Sequence, residues 1–161
     1  MDNSFCDICK VEPGAHSFTY LFRTKRKDIY EYVFYTCVGD ARRYGDADNV
    51  VKHYENCLNL MNPDSWIWIF NCDGFTMRHY TEFSTIKKLT KAVNDYGKVR
   101  DVYLVNSTGF MDLVFKIIKP ILDNETFKKI KIIDTPHLLK EIDLYKDDEE
   151  NLREMLAKKY C

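Results

Sequence analysis

The sequence lacks any hydrophobic run that could span a membrane. Its longest uninterrupted apolar stretch, residues 66–70, is about a quarter of the roughly 20 residues that a membrane-spanning helix needs. Residues 1–4 also lack the basic and apolar segments of a secretory signal peptide. These absences predict a soluble cytoplasmic domain whose six cysteines are reduced.

Glycine and proline are also scarce, and neither sign of charge is in clear excess. Six Gly and four Pro in 161 residues exclude a collagen-like or low-complexity chain, and the length indicates a single domain. Lys and Arg number 24 against 25 Asp and Glu, so the net charge of -1 argues against nucleic acid as a partner.

Motifs of common enzymes are missing too. The chain has no Gly-x-Gly-x-x-Gly, no Gly-Lys-Ser/Thr and no Gly-x-Ser-x-Gly. Asp73, Ser107 and Asp134 follow predicted strands, where open α/β sheets hold ligands, but such residues are more often turn formers and helix caps. Nothing specific supports a triad of Ser107, His137 and Asp73. We therefore expect a protein that is not an enzyme and has no catalytic residues.

The hydrophobic pattern predicts an α/β fold. Apolar, β-rich runs occupy residues 18–23, 29–36, 66–70, 102–105 and 130–133, and helical periodicity lies between the last four. Strands separated by helices of several turns imply right-handed crossovers, hence a mostly parallel β-sheet with flanking helices. The first two runs, joined by the charged residues 24–28, indicate an N-terminal β-hairpin that follows an irregular segment, residues 1–17.

The most unusual element is a predicted helix over residues 109–120. Apolar side chains cover nearly its whole circumference, and only Asp112, Lys116 and Lys119 interrupt them. Such a helix is either a central helix buried by its neighbours or one with a face toward an internal cavity and another toward a membrane or partner.

A cluster of lysines accompanies this helix. Two carboxylates, Asp123 and Glu125, stand among five lysines: Lys116, Lys119, Lys128, Lys129 and Lys131. The cluster is either an ordinary solvated face or a surface that attracts anionic lipid headgroups, which implies peripheral contact with membranes.

Cys6 and Cys9 have the Cys-x-x-Cys spacing of a zinc site. The other two ligands could come from His16, Cys37, His53 or Cys57. A second Cys-x-x-Cys, which would make the motif specific, is absent, and the alternative is a pair of reduced thiols in a short N-terminal segment. Zinc at Cys6 and Cys9 therefore stays open without being favoured, and no metal site is assigned.

Several segments together resemble the CRAL-TRIO lipid-binding domain family. Residues 66–75 (WIWIFNCDGF) are similar to its strand and Asp/Gly turn. The strand at residues 102–106, the apolar helix, the turn Lys119-Pro120-Ile-Leu-Asp123 and the segment 126–130 follow in the family's order and spacing. The match is best over residues 64–142. It implies one CRAL-TRIO-like domain over residues 1–161, with residues 1–28 as an irregular and hairpin extension.

The resemblance implies a non-enzymatic domain that binds or transfers a hydrophobic or amphipathic lipid in an apolar cavity, closed by a gate helix. In this sequence the gate falls on residues 110–119. We therefore expect Phe110, Phe115 and Ile118 to line or gate the pocket, and Lys119 and Lys129 to meet the headgroup. The expected partners are the lipid and a transient membrane surface, with no cofactor besides the lipid.

Three departures leave a second interpretation open. Phosphoinositide-binding members have a Glu where this chain has Gly97. The helical N-terminal unit of typical members is absent, and the closing segment is reduced to residues 156–161. A shortened frame resembles the BCH-type branch of the family. The alternative is therefore a BCH-like protein-interaction module without a lipid, whose apolar helix is covered by a protein partner or by self-association.

Overall fold

The sheet begins with an antiparallel hairpin. In the computed structural model, which describes residues 6–142 and 144–157, β1 (Thr19–Arg26) pairs with β2 (Ile29–Cys37). Lys27 and Asp28 join the strands with positive φ angles of 47° and 68°, as a tight two-residue hairpin turn requires. The strand β1 thus continues through residues 24–26, which the sequence analysis assigned to the connection.

The remaining strands run parallel to β2. They are β3 (Ser65–Asn71), β4 (Val99–Val105) and β5 (Ile130–Ile132), and the sheet order is β1-β2-β3-β4-β5. Most residues of β3 and β4 are buried, because helices cover both faces of the sheet. The prediction of an α/β fold with a mostly parallel sheet and an N-terminal hairpin is confirmed.

The helices divide between the two faces. They are α1 (Asp7–Val11), α2 (Ala47–Met61), α3 (Met77–Thr81), α4 (Phe83–Tyr96), α5 (Met111–Ile118), α6 (Asn124–Lys128), α7 (Thr135–Glu141) and α8 (Lys146–Ala157). Side chains of α2, α4 and α5 share one hydrophobic core with the sheet, whereas those of α7 and α8 share a second core on the other face. None of the helices in the described ranges has the length and apolarity to cross a bilayer.

The N-terminal segment is more ordered than its sequence predicts. Residues 7–11 form α1, and Cys9, Ala15, His16 and Phe18 are buried. A helix of five residues is too short to show a helical period, which explains why the sequence pattern missed it.

One cysteine departs from the expectation of six reduced thiols. Cys37 is disulfide-bonded, whereas Cys6, Cys9, Cys57 and Cys72 are free. Disulfide formation depends on which side chains the fold brings together, and a count of cysteines does not reveal that.

Candidate functional site

An apolar cavity of about 90 Å³ lies between the sheet and helices α4 and α5. Strands β3 and β4 provide its floor, α4 provides one wall, and α5 covers it. The lining consists of Tyr44, Trp68, Phe70, Phe75, Ile86, Leu89, Thr90, Val93, Val102, Leu104, Met111, Val114, Phe115, Ile118, Leu122, Thr126 and Ile130.

Helix α5 presents one face to this cavity. Met111, Val114 and Ile118 follow at intervals that place them on one side of the helix, and all three are buried. The apolar residues on its other sides, such as Leu113 and Ile117, are only half-buried. Helix α5 is therefore buried on the side toward the cavity and is not fully enclosed by its neighbours on its other sides.

Pro120 and a turn delimit α5. After β4, Asn106 takes a positive φ of 53° and the chain turns through residues 107–110 before the helix starts. Lys119 is the C-cap, and Pro120 follows it, so the helix stops after two turns. The covering helix is therefore a short segment between two breaks in regular structure.

The three apolar residues predicted for the pocket lie together around the cavity. Phe115 and Ile118 line it. Phe110 is half-buried beside it, with its ring centroid 6.4 Å from that of Phe75, which belongs to the lining.

The two lysines predicted to meet a headgroup cap neighbouring helices. Lys119 is exposed at the end of α5, and its Nζ lies 5.8 Å from the ring centroid of Phe127. Lys129 is half-buried at the end of α6. Within the described ranges, Lys128 and Lys131 form ion pairs, but Lys119 and Lys129 form none.

The cavity carries no charged side chain in its lining. The polar side chains in the lining are those of Tyr44, Trp68, Thr90 and Thr126. The Trp68 indole N–H donates to Thr36 at 3.0 Å, and the Thr90 hydroxyl donates to the carbonyl of Ile86 at 2.6 Å. Burial raises the pKa of Tyr44, so its phenol stays neutral. The cavity suits an apolar ligand and offers no general acid or base.

The residues singled out for catalysis make turn and cap contacts. Asp134 accepts a hydrogen bond from the backbone N–H of His137 at 2.9 Å and thereby caps α7. Hydrogen bonds from the backbone and the side chain of His137 lower the pKa of the Asp134 carboxyl. The backbone N–H of Asp73 donates to the side chain of Asn71 at 3.0 Å. Ser107 borders an open surface groove together with Asp134.

Sequence reasoning missed an ion-pair cluster on the sheet, in which the carboxylates of Glu31 and Asp101 are buried. Arg100 Nε lies 2.7 Å from Glu31 Oε2, and Lys131 Nζ lies 3.0 Å from Asp101 Oδ1. Tyr103 OH also donates to Asp101 at 3.2 Å. The pairs join β2, β4 and β5, whose register the sequence does not show, so no local signal could have revealed them.

The structure is thus an α/β domain whose mainly parallel sheet floors an apolar cavity under a short helix. The family model of the CRAL/TRIO domain matches residues 48–151, well over half of the chain, and the chain belongs to this family. The predicted resemblance is thereby confirmed. Members of the family bind or transfer lipids in general and are typically not enzymes.

One solved structure with a similar fold is the crystal structure of Sfh5. It superposes with a TM-score of 0.53 at 16% sequence identity, covering 63% of this chain and 41% of the Sfh5 chain. At this identity the similarity shows the fold alone, and the chain spans less than half of the length of Sfh5. No protein of curated function matches the chain in sequence.

Proposed function

We propose that the protein binds a single hydrophobic or amphipathic lipid in the cavity under α5 and transfers it between membranes. The observation that carries this proposal is the cavity itself, whose lining is almost wholly apolar and holds no charge. An acyl chain that binds there removes apolar surface of both the ligand and the cavity from water, which is favourable. The general role of the family supports the same function.

We infer that α5 acts as a gate. The volume of about 90 Å³ is well below the roughly 300–1,000 Å³ of ordinary ligand pockets, which supports the assignment of this conformation as the closed one. Admitting a lipid requires one wall to move outward. Helix α5 suits this movement because it has only eight residues and ends at breaks on both sides.

Lys119 and Lys129 suit the headgroup of an anionic lipid. Both lie at the ends of helices beside the cavity, and neither has an ion-pair partner in the described part of the chain. An ammonium group near the mouth of the opened cavity would attract a phosphate while the acyl chains enter. We accordingly place the protein in the cytosol, in transient contact with membrane surfaces.

The small volume also favours a second candidate. If α5 never opens, the cavity is a packing defect and the domain is a BCH-like interaction module without a lipid. A protein partner or a second copy would then cover the half-buried apolar residues of α5, among them Leu113 and Ile117.

Native mass spectrometry of freshly purified protein, followed by organic extraction of the same sample, tests the proposal. We expect an adduct that extracts as one lipid class, or uptake of such a lipid after incubation with mixed vesicles. A bare polypeptide that takes no lipid from vesicles would overturn the proposal, and a concentration-dependent dimer of that polypeptide would support the interaction module.

A further inference from the structure

Two cysteines and two histidines meet at the N-terminal end of the chain. The candidate ligand atoms of Cys6, Cys9, His16 and His53 all lie within 4.8 Å of one another. Cys6 is the N-cap of α1 and Cys9 lies one turn further on, so both thiols point to the same side. His16 precedes β1, and His53 extends from the buried face of α2. The fold thus gathers four donors from three separate segments.

Three sulfur–nitrogen distances among these donors are close to those around a tetrahedral zinc ion. The Sγ of Cys6 lies 3.4 Å from Nδ1 of His16 and 3.3 Å from Nδ1 of His53, and the Sγ of Cys9 lies 3.6 Å from Nδ1 of His16. Zinc bonds of about 2.3 Å to sulfur and 2.0–2.1 Å to nitrogen place tetrahedral S and N ligands about 3.5 Å apart. These three distances are close to that value, and all four donor atoms lie within 4.8 Å of one another.

Neighbouring backbone groups form hydrogen bonds with two of the donors. Nε2 of His53 lies 2.9 Å from the carbonyl oxygen of Phe18, and a carbonyl can only accept, so this nitrogen carries the proton. Nδ1 of His53 therefore directs its lone pair toward Cys6. The backbone N–H of Cys9 donates to the Cys6 sulfur at 3.3 Å, which orients this sulfur at the start of α1.

The imidazole of His16 is incompletely hydrogen-bonded. Its side chain is buried, and its Nε2 has no hydrogen-bond partner among the described residues. The other ring nitrogen of His16, Nδ1, faces the Sγ atoms of both Cys6 and Cys9, which is the position from which it can bind a cation together with the two thiolates. Cys6 is only half-buried and borders a surface groove, which provides a route of entry.

We propose that Cys6, Cys9, His16 and His53 bind one Zn²⁺ ion as a structural site. Thiolate and imidazole are the ligands that zinc prefers, and four protein ligands leave no open position for a substrate. On binding, the two thiols release their protons to solvent, so the two thiolates balance the charge of the ion. The site is separate from the lipid cavity, and its presence does not depend on the proposed lipid function.

Zinc at this place would join α1 and the loop after it to α2. Phe18, which accepts from His53 through its carbonyl, stacks its ring on Tyr54 of α2 with centroids 3.9 Å apart. The ion would therefore hold the N-terminal segment against the aromatic core. Cys57 lies one turn after His53 on α2 but belongs to the hydrophobic core and not to the donor set.

Metal analysis of the full chain, purified under reducing conditions without a chelator or a polyhistidine tag, tests the site. We expect one zinc per chain and a native mass about 63 Da above that of the denatured polypeptide, since one ion replaces two protons. Added Co²⁺ should give the metal-free protein the intense visible absorption of tetrahedral thiolate coordination. A reduced protein that takes up neither ion would overturn the proposal, as would a protein in which Co²⁺ gives no thiolate bands.

Variants locate the ion. Cys9→Ser and His53→Gln should each lose bound zinc, whereas the matched control Cys57→Ala, which removes a buried thiol outside the donor set, should keep one ion per chain. Equimolar zinc retained by Cys9→Ser would show that the ion binds elsewhere. If a variant does not fold, the cobalt spectrum of the unaltered chain still decides whether two thiolates bind the metal.

Discussion

At the scale of single residues, Thr36 orients aromatic side chains at the floor of the cavity. Its Oγ1 accepts a hydrogen bond from Nε1 of Trp68 at 3.0 Å, since an indole N–H can only donate, and lies 2.9 Å from the hydroxyl of Tyr54. All three residues are buried, and burial raises the pKa of Tyr54. Because Trp68 lines the cavity, this one hydroxyl helps to determine the shape of the floor.

Replacing that hydroxyl should destabilise the protein strongly. Thr36→Val leaves the indole N–H of Trp68 and the hydroxyl of Tyr54 without their partner. Each such group costs about 1–3 kcal/mol, so we expect the free energy of unfolding to fall by about 2–6 kcal/mol. Urea unfolding followed by tryptophan fluorescence measures the change. Thr36→Ser keeps the hydroxyl and should lose about 1 kcal/mol, mainly for the deleted methyl group, and an equal loss in both variants would contradict this role.

At the scale of secondary-structure elements, α5 divides its apolar residues between two environments. Val114 faces the cavity, whereas its neighbour Leu113 is half-buried outside the lining. A substitution on one face therefore changes the cavity, and the same substitution on the other face does not. The helix offers a matched pair of positions for testing whether the cavity is the binding site.

Val114→Phe should abolish lipid uptake with little effect on folding. The larger ring would occupy the cavity of about 90 Å³ and leave no room for an acyl chain once the gate opens. Leu113→Phe introduces the same side chain outside the lining and should bind lipid as the unaltered chain does. Extraction of lipid after incubation with vesicles measures both. Undiminished uptake by Val114→Phe would place the lipid elsewhere.

Strands with apolar runs and helices with several turns could be predicted from the sequence, whereas the shortest helices could not. The apolar run at residues 66–70 predicted β3, and the helical periodicity between this run and residues 102–105 predicted α4. Helices α1 and α3 have five residues each, too few for periodicity to show. Apolar residues of α5 were predicted for the cavity, but the wall from α4 was not, because its stripe indicates only burial.

The full ligand set of the Cys/His cluster could not be predicted from the sequence either, because it depends on contacts between distant segments. The spacing of Cys6 and Cys9 suggested a metal, but four residues were candidates for the remaining ligands. His53 and Cys57 lie one turn apart on the buried side of α2, and only the placement of α1 beside that helix distinguishes them. The ion pair between Arg100 and Glu31 likewise depends on the pairing of distant strands.

At the scale of the whole molecule, positive and negative side chains are nearly equal in number but are distributed unevenly over the surface. The chain carries a net charge of -1, yet Lys116, Lys119 and Lys129 lie on or next to α5 and α6 without ion pairs in the described ranges. A membrane senses the charge of the face that approaches it, because screening in physiological salt limits the interaction to about 8 Å. The face that carries α5 and α6 is therefore the one expected to meet anionic lipid.

Reversing two of these charges should weaken binding to anionic vesicles. Each basic residue near such a surface contributes about 1 kcal/mol, so Lys119→Glu with Lys129→Glu should lower the partition coefficient at least about thirtyfold. Co-sedimentation with vesicles that contain phosphatidylserine measures this, with neutral vesicles as the reference. The matched control is Lys140→Glu with Lys146→Glu, which changes the net charge equally on the exposed surface of α7 and α8.

The two double variants separate a local effect from a general one. If the face with α5 and α6 meets the membrane, only the first pair loses affinity, and the loss shrinks as salt is added because screening weakens every ion pair with lipid. Equal losses in both pairs would mean that net charge alone governs binding. Unchanged binding by a folded Lys119→Glu, Lys129→Glu protein would show that these lysines do not contact the headgroup, and the lipid would then have to enter through another face.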